Sequence, residues 1–402
     1  MDVIQKLSEL SEAMAYEPAE EMGVGQAPAC PGFAPLEGSP HGLPSTAACV
    51  PSKIAGVPIY QAAMPGGKRI ALLKTLQTSA CEKDCYYCSF RAGRDFRRTT
   101  FSPDELARGF MQMVQAGAVS GLFLSSGVAG GGLRTQDRLI ATAEILRLKL
   151  GFRGYLHLKI MPGAELAQVE RAMALADRVS INLEAPNTER LSRLAPHKTF
   201  TEQLLAPLQW VESIRRSRPP SLGWNGRWPS CTTQFVVGGA GESDLELLTT
   251  TAYLNRAVHL ARAYYSGFSP VADTPLEGLP ATNPWREHRL YQASFLLRDY
   301  GFDLEEMPFQ PEGNLPLEVD PKLAWARVNL AEAPVEINQA ERQALLRIPG
   351  IGPRTAQTIL EARRKGRLRH LSELRRLGMQ VERAAPFLLL DGHRPAQQLA
   401  LW

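Results

Sequence analysis

From Arg69 onward, the sequence alternates between short strand-like runs and longer helix-like runs. This alternation is typical of βαβ units, in which parallel strands are joined by helices that pack on the sheet. Six strands are predicted, at residues 70–77, 121–126, 155–160, 178–183, 232–238 and 263–267. The helices predicted between them lie at residues 103–117, 134–150, 163–175, 201–216 and 243–260. The pattern therefore predicts an α/β fold, a partial (β/α)6 version of the TIM-like barrel.

Three cysteines, Cys81, Cys85 and Cys88, follow the first predicted strand directly. Thiolates at this spacing can hold one iron–sulfur cube, which contains four irons and normally takes four protein ligands. No fourth cysteine lies nearby, so one iron is left for another ligand, and an open metal position is typical of catalytic sites. Because barrel sites lie at the carboxyl ends of the strands, the cysteine loop is predicted to lie at the barrel mouth.

A structural zinc site and redox-active thiols are the alternatives for this motif. Zinc would require a fourth Cys or His at short spacing, usually in C-x2-C pairs. The nearest histidines are His41, in a Pro/Gly-rich segment, and His157, far along the chain. A disulfide framework is not expected in a chain of 402 residues that begins without a signal peptide. The spacing therefore favours the cluster.

The motif, with Tyr87 directly before its last cysteine, resembles the signature of the radical S-adenosylmethionine superfamily. The resemblance implies a [4Fe–4S] cluster held by the three cysteines, with the amino and carboxylate groups of S-adenosylmethionine on the open iron. It also implies that Tyr87 packs beside the adenine. An electron donor such as flavodoxin or ferredoxin would then drive reductive cleavage of S-adenosylmethionine, which releases a 5′-deoxyadenosyl radical.

Polar side chains share one face of two predicted strands. His157 and Lys159 alternate with apolar residues on one strand, as do Ser180, Asn182 and Glu184 on the next. Buried parallel strands usually read as near-continuous apolar runs. The polar face therefore predicts a barrel interior that binds a polar ligand, and a buried hydrogen-bond network that serves only the fold is the alternative.

The resemblance extends to nine residues that would contact S-adenosylmethionine: Tyr87, Ser125, Ser126, Gly127, Lys159, Ser180, Asn182, Glu184 and Gly238. The end of the second strand takes the place of a Gly-Gly-Glu-like segment beside the methionine amino group, although the Glu is absent here. Polar residues of the fourth strand match those that meet the ribose and the carboxylate, and Lys159 offers a cation to that carboxylate. Gly238 lies where glycine lets the backbone approach the adenine.

Positive charge is concentrated near the C-terminus. Residues 337–402 contain 12 Lys/Arg and 5 Asp/Glu, a balance of +7, whereas the whole chain carries +4, so the remainder carries −3. A segment with such a basic excess indicates a polyanionic partner.

The basic segment contains the sequence Pro349-Gly350-Ile351-Gly352-Pro353 between helices predicted at 338–346 and 353–364, and a second helix pair is predicted around 371–388. It resembles a helix–hairpin–helix motif, in which backbone N–H groups at the hairpin and at the next helix face a phosphate. The predicted nucleic-acid-binding residues are Gly350, Gly352, Arg354, Arg363, Arg364 and Lys365. The hairpin type favours DNA over RNA, and docking of a protein is the alternative.

Three domains are predicted: residues 1–53, an N-terminal helix and an irregular Pro/Gly-rich segment; residues 54–320, the partial barrel; and residues 321–402, a small all-α helix–hairpin–helix domain. No apolar stretch is long enough for a membrane span. The six cysteines fit a reducing compartment, so the cytoplasm is the expected location. Cys231 is predicted to be a buried free thiol; no role is predicted for Cys30 and Cys49.

The whole arrangement is similar to a bacterial family described as DNA-modification or DNA-repair radical S-adenosylmethionine proteins. The similarity covers residues 1–16 and about 54–380, including the segments KLSELSEAMAY, GLFLSSGV, LHLKIMPGA and RVSINLEAPNTERL. It implies an enzyme whose radical acts on a base or lesion in DNA. Two alternatives stay open: a radical enzyme that modifies structured RNA such as tRNA, and a non-enzymatic, redox-sensing iron–sulfur protein that binds DNA.

Overall fold

The computed structural model describes residues 2–14, 52–64 and 68–395. Its contacts divide the chain into two compact units, Met1–His288 and Arg289–Trp402. Residues 289–320 therefore group with the C-terminal unit, whereas the sequence had placed them with the barrel. Most of the predicted irregular segment, with Cys30 and Cys49, lies outside the described residues.

An eight-stranded sheet with its strands in sequence order forms the centre of the N-terminal unit. The strands are β1 (Ser52–Ile54), β2 (Val57–Ala63), β3 (Arg69–Leu76), β4 (Gly121–Ser125), β5 (Tyr155–Lys159), β6 (Arg178–Ser180), β7 (Ser230–Val237) and β8 (Arg262–Gly267). β1 pairs with β2 and β2 with β3 in antiparallel fashion, and β3 to β8 are parallel. The six parallel strands confirm the predicted partial barrel.

Helices connect the parallel strands. In the N-terminal unit they are α1 (Val3–Glu12), α2 (Pro103–Gln115), α3 (Gly132–Glu144), α4 (Leu166–Leu175), α5 (Thr188–Leu194), α6 (Ala206–Ser217) and α7 (Asp244–Ala257), and α8 (Pro284–Asp299) contains the boundary between the units. The π-helical segments Ile145–Lys149 and Phe200–Leu205 continue α3 and precede α6, so the predicted helices at 134–150 and 201–216 each combine two helical geometries. Among the described residues, no helix is long and apolar enough to cross a membrane.

The start of α2 shows how the sequence sets an element boundary. The Ser102 hydroxyl accepts a hydrogen bond from the Glu105 N–H at 3.2 Å, and the Glu105 carboxylate accepts one from the Ser102 N–H at 3.4 Å. Pro103 occupies the first helical position, where its missing N–H removes no hydrogen bond. Together these groups satisfy donors that a helix start leaves free, so α2 begins where the sequence predicts.

The C-terminal unit is mostly helical. Beyond α8 it contains α9 (Pro321–Asn329), α10 (Arg342–Arg347), α11 (Pro353–Arg363), α12 (Leu371–Arg376) and α13 (Val381–Ala384). Two short strands, β9 (Val335–Glu336) and β10 (Leu388–Leu389), pair in parallel and add a sheet to a domain that had been predicted as all-α. Leu345, Leu346, Ile351 and Ile359 are among the residues of its separate apolar core, which packs α10 and α11 on either side of the hairpin.

Candidate metal and cofactor site

The three cysteines line one cavity of about 400 Å³ at the carboxyl ends of the barrel strands. Seven of the nine predicted cofactor-contact residues line the same cavity: Tyr87, Ser125, Ser126, Gly127, Lys159, Asn182 and Glu184. The volume lies within the usual range of small-molecule sites. Residues that are distant in sequence thus meet where the barrel architecture predicts a site.

Backbone contacts hold the cysteine loop against the end of β4. A Cβ atom at Gly127 would lie 2.3 Å from the Ala80 carbonyl oxygen, so only glycine permits this approach. On the opposite side, the Arg98 guanidinium donates to the carbonyls of Phe90 at 2.7 Å and of Arg91 at 2.8 Å. Arg98, one of the basic residues after the motif, is therefore engaged in fixing the loop that carries the cysteines.

Each of the three cysteine sulfurs has an N–H donor or an ammonium beside it. The Val128 N–H donates to the Cys81 sulfur at 3.4 Å, and the Phe90 N–H donates to the Cys88 sulfur at 3.4 Å. The Lys198 ammonium lies beside the third sulfur and lowers the pKa of that thiol, although burial raises it overall. Hydrogen bonds and charges around the sulfurs are typical of protein-bound iron–sulfur clusters.

Binding of a cluster would have to displace a proton from a buried thiol. Burial raises the pKa of the Cys88 thiol to about 12, so binding of a metal must displace its proton. In the described part of the chain, no three His, Cys, Asp or Glu side chains converge as ligands of one metal ion. A cluster makes no such demand, because each thiolate binds a different iron.

Glu184 and Lys198 form a buried ion pair in the cavity wall. The Lys198 ammonium lies 3.0 Å from the Glu184 carboxylate, and the two side chains are only 9% and 7% exposed. Glu184 has a φ of +66°, in the left-handed region, and is held there by backbone hydrogen bonds to Gln234 and Val236. The regular strand β6 ends at Ser180 rather than at the predicted residue 183, and only a single bridge between Glu184 and Phe235 continues the pairing with β7.

Lys159 adds a second buried ammonium to this wall. Burial lowers the pKa of Lys159 to about 7, against the attraction of Glu184. Burial would raise the pKa of Glu184, but Lys198 and then Lys159 hold it below its usual value. Two lysines facing one carboxylate leave the wall suited to an anionic group such as the carboxylate of an amino acid.

Two of the predicted contact residues do not line this cavity. The Ser180 hydroxyl lies 2.9 Å from the His157 Nε2, in a polar layer deeper in the barrel. Residues two apart on a strand share a face but are about 6.6 Å apart along it, so Asn182 reaches the cavity and Ser180 does not. Gly238 has a φ of +91°, and a Cβ atom there would lie 2.2 Å from the Thr282 hydroxyl, so it serves packing.

Two polar residues of the cavity wall, Gln234 and Lys198, are among the lining residues that were not predicted. Gln234 accepts a hydrogen bond from the Asn182 amide at 3.3 Å. Its position on the polar face of the fifth predicted strand, alternating with Thr233 and Phe235, was a usable signal. Lys198 had no such signal, because a single lysine in the loop after α5 belongs to no periodic pattern.

The hairpin of the C-terminal unit has the backbone form that the motif requires. Gly350 has a φ of +83°, and a Cβ atom there would lie 2.8 Å from the Gln380 carbonyl oxygen. The amide N–H groups of Gly350, Gly352 and Arg354 donate to no other described residue. These donors are therefore available to a bound anion.

The predicted basic residues around the hairpin differ in their surroundings. Arg354, Arg364 and Lys365 are exposed. The Arg363 guanidinium donates instead to the carbonyls of Ile337, at 3.1 Å, and Ala340, at 2.5 Å. Arg363 therefore ties α11 to the segment before α10, which leaves the other three side chains as candidates for phosphate contacts.

Two family profiles match regions of the chain. The Radical SAM superfamily profile matches residues 76–253, and the helix-hairpin-helix motif profile matches residues 331–388. No curated protein matches the chain significantly.

Solved structures give distant matches. The FeFe-hydrogenase maturase HydG from Carboxydothermus hydrogenoformans is 14% identical, with a TM-score of 0.44 over 56% of this chain and 52% of that one. Methylornithine synthase (PylB) is 15% identical, with a TM-score of 0.45 over 58% and 64%. The radical S-adenosylmethionine methyltransferase TsrM from Kitasatospora setae is 12% identical, with a TM-score of 0.37 over 51% and 38%.

The matched region spans about half to two thirds of the length of HydG and PylB. The profile match covers the cysteine loop and strands β4 to β7, so the sequence comparison and the cavity point to the same part of the chain. Residues 76–253 thus form a radical S-adenosylmethionine superfamily domain, and this domain contains the cysteine loop and the cavity that it lines.

Proposed function

We propose that this protein is an enzyme that uses a [4Fe–4S] cluster and S-adenosylmethionine to modify or repair a base or lesion in DNA, and that its C-terminal helix–hairpin–helix motif helps to bind that DNA. The observation that carries the proposal is the presence, in one chain, of the cysteine-lined cavity and a hairpin with unpaired amides. The first supplies radical chemistry and the second supplies a grip on a phosphate backbone. The resemblance of residues 1–16 and about 54–380 to DNA-modification or DNA-repair radical proteins supports the same target.

The residues of the cavity would divide the work of cofactor binding. When bound and reduced, the cluster and S-adenosylmethionine supply a 5′-deoxyadenosyl radical. Cys81, Cys85 and Cys88 would hold the cluster, and Lys159 would face the carboxylate of S-adenosylmethionine. Tyr87, beside Cys88, would pack along the adenine. An electron donor such as flavodoxin or ferredoxin would supply the electron.

A nucleotide can reach such a cavity only outside the base stack. Extrusion of a base costs a few kcal/mol, and less when the base is damaged or mismatched. The hairpin contacts would grip phosphates and carry no sequence information. The proposed enzyme would therefore bind many sequences and owe its selectivity to which base is extruded and fits the cavity.

The salt dependence of DNA binding tests whether the basic residues near the hairpin contact phosphates. Replacing both Arg364 and Lys365 with alanine is expected to reduce the slope of log affinity against log salt by roughly 0.9 for each phosphate that the variant no longer neutralises. Fluorescence anisotropy with a labelled duplex at several salt concentrations measures the slope.

A matched control removes two exposed charges elsewhere. Arg108 and Arg216 are exposed and paired with carboxylates on their own helices, and their double alanine variant is expected to keep the original slope. An unchanged slope for the Arg364/Lys365 variant would exclude this pair from the grip. Equal or tighter binding of structured RNA in the same assay would move the proposal from DNA to RNA.

A further inference from the structure

A buried lysine lies directly beneath the hairpin. Lys322, on α9, is only 9% exposed. Its ammonium donates a hydrogen bond to the Ile351 carbonyl at 2.5 Å. The same ammonium lies 4.7 Å from the centre of the Tyr300 ring. Ile351 is the middle residue of the hairpin, so this charge touches the backbone of the predicted phosphate site from the protein side.

The geometry of one peptide group links the ammonium to the outer face of the hairpin. The Ile351 carbonyl and the Gly352 N–H belong to the same peptide unit, and in a trans peptide the two groups point in opposite directions. Because the carbonyl points inward to Lys322, the Gly352 N–H points away from it. A charge on the carbonyl side also polarises the peptide and makes its N–H a stronger donor.

In the described part of the chain, no carboxylate forms an ion pair with this ammonium, although Asp320 attracts it from a greater distance. Asp320 pairs with Arg383 and caps α9 through the Leu323 N–H, at 3.0 Å. Arg347 pairs with Glu306 at 2.8 Å. Within the described residues, Lys322 makes only its hydrogen bond to the hairpin and its contact with the aromatic ring. A buried charge without an ion pair is costly, and a function for the charge would explain its retention.

We propose that Lys322 is a hidden determinant of phosphate binding: its ammonium fixes the hairpin through the Ile351 carbonyl and supplies positive charge to a backbone phosphate held by the hairpin amides. The inference rests on the proposed binding of DNA and adds to that binding a buried residue that the DNA does not contact directly. A low-dielectric surrounding strengthens the attraction between this ammonium and a phosphate at the hairpin.

The protonation of Lys322 makes the proposed role testable through the pH dependence of DNA affinity. Burial lowers the pKa of Lys322 to about 7, against the attraction of Asp320 and with repulsion from Arg383 and Arg347. The ammonium is thus charged below about pH 7 and loses its proton above it, so DNA affinity is expected to fall as pH rises through 7. Stability has the opposite sign: the unfolded lysine stays protonated to about pH 10.4, so the unfolded chain binds more protons between these values and stability rises with pH.

The experiment measures duplex DNA binding by the full-length protein between pH 6 and 8.5 at constant salt. The unmodified protein is expected to lose affinity about tenfold over this range, the size of an effect of a charged hydrogen-bond partner. Lys322→Met is expected to bind weakly at every pH, and Lys322→Arg, which stays charged, to bind tightly at every pH. Any change of DNA affinity with pH that arises from other groups persists in both variants and so cancels in the comparison.

Thermal melting of the same proteins separates binding from folding. Affinity that falls with pH while the melting temperature holds or rises supports the proposal, even if Lys322→Met folds poorly. Identical pH profiles for the unmodified protein and a folded Lys322→Met overturn the role of Lys322 and leave DNA binding intact. If the unmodified protein binds no duplex at any pH, both the inference and the proposed DNA target are overturned.

Discussion

Replacing Cys85 with alanine is expected to remove most of the iron from the anaerobically reconstituted protein and to lower 5′-deoxyadenosine formation more than ~100-fold. The three cysteines are the thiolate donors that line the cavity, and loss of groups that merely support metal ligands already costs 10- to 100-fold. A cluster left with two protein thiolates would be lost on desalting. Iron and sulfide analysis, with electron paramagnetic resonance of the reduced protein, measures the effect.

Cys231 provides the matched control. It is a buried free thiol near the start of β7, 1% exposed, and it does not line the cavity. Burial raises its pKa to about 12, as it does for Cys88, but Cys231 lies away from the cavity that the three clustered thiols line. Cys231→Ala is expected to keep its iron and its turnover. If Cys85→Ala kept as much iron as Cys231→Ala, the assignment of the cluster to this loop would be wrong.

Glu184→Gln is expected to destabilise the N-terminal unit by about 3–5 kcal/mol, because it leaves a buried charge without its partner. The variant keeps the shape of the side chain but removes the only negative charge that faces Lys198 and Lys159 among the described carboxylates. The loss is expected to be larger at pH 6 than at pH 8.5, since Lys159 has a pKa of about 7 and is mostly neutral at the higher pH. Urea unfolding of the metal-free protein, followed by a probe in the N-terminal unit, measures it.

An exposed ion pair on α5 is the control for this prediction. Glu189 and Arg193 lie 2.8 Å apart with side chains 71% and 52% exposed, so Glu189→Gln is expected to change stability by less than ~0.5 kcal/mol. A double variant, Glu184→Gln with Lys198→Met, is expected to recover part of the loss, because it removes both charges. Equal effects of Glu184→Gln and Glu189→Gln would show that the buried pair is not a significant part of the fold.

The barrel could be predicted from the sequence because its signals are periodic, and the three cysteines stood out as candidate metal ligands because they are closely spaced. All six parallel strands begin within two residues of the predicted positions, since each strand–helix unit repeats the same alternation. The strand β6 begins at the predicted residue but ends three residues before the predicted end. The residues after Ser180 continue the alternation of apolar and polar side chains that is typical of a strand. The left-handed backbone at Glu184, however, depends on tertiary hydrogen bonds that no local pattern reveals.

Other parts of the site depend on contacts between distant segments. Lys198 and Lys322 carry no local signal, because a lysine in a loop or a helix reads as a solvated charge until its neighbours are known. Conversely, Arg363 belongs to a basic run whose pattern predicts phosphate binding, yet its guanidinium donates hydrogen bonds to two backbone carbonyls. Charge patterns therefore predicted which segment of the chain would meet a polyanion, but not which of its residues remain available.

The most direct test of the central claim is transfer of deuterium from DNA to the cofactor product. The reconstituted protein would be reduced with dithionite in the presence of S-adenosylmethionine and duplex DNA built from deuterated nucleosides, with and without a mismatched or damaged base. We expect 5′-deoxyadenosine to form faster with DNA, to carry deuterium, and to appear together with an altered nucleoside in mass analysis of the digested duplex. Formation of unlabelled 5′-deoxyadenosine at the same rate with and without DNA would contradict DNA as the substrate, and absence of S-adenosylmethionine cleavage in protein with an intact cluster would contradict the enzyme itself.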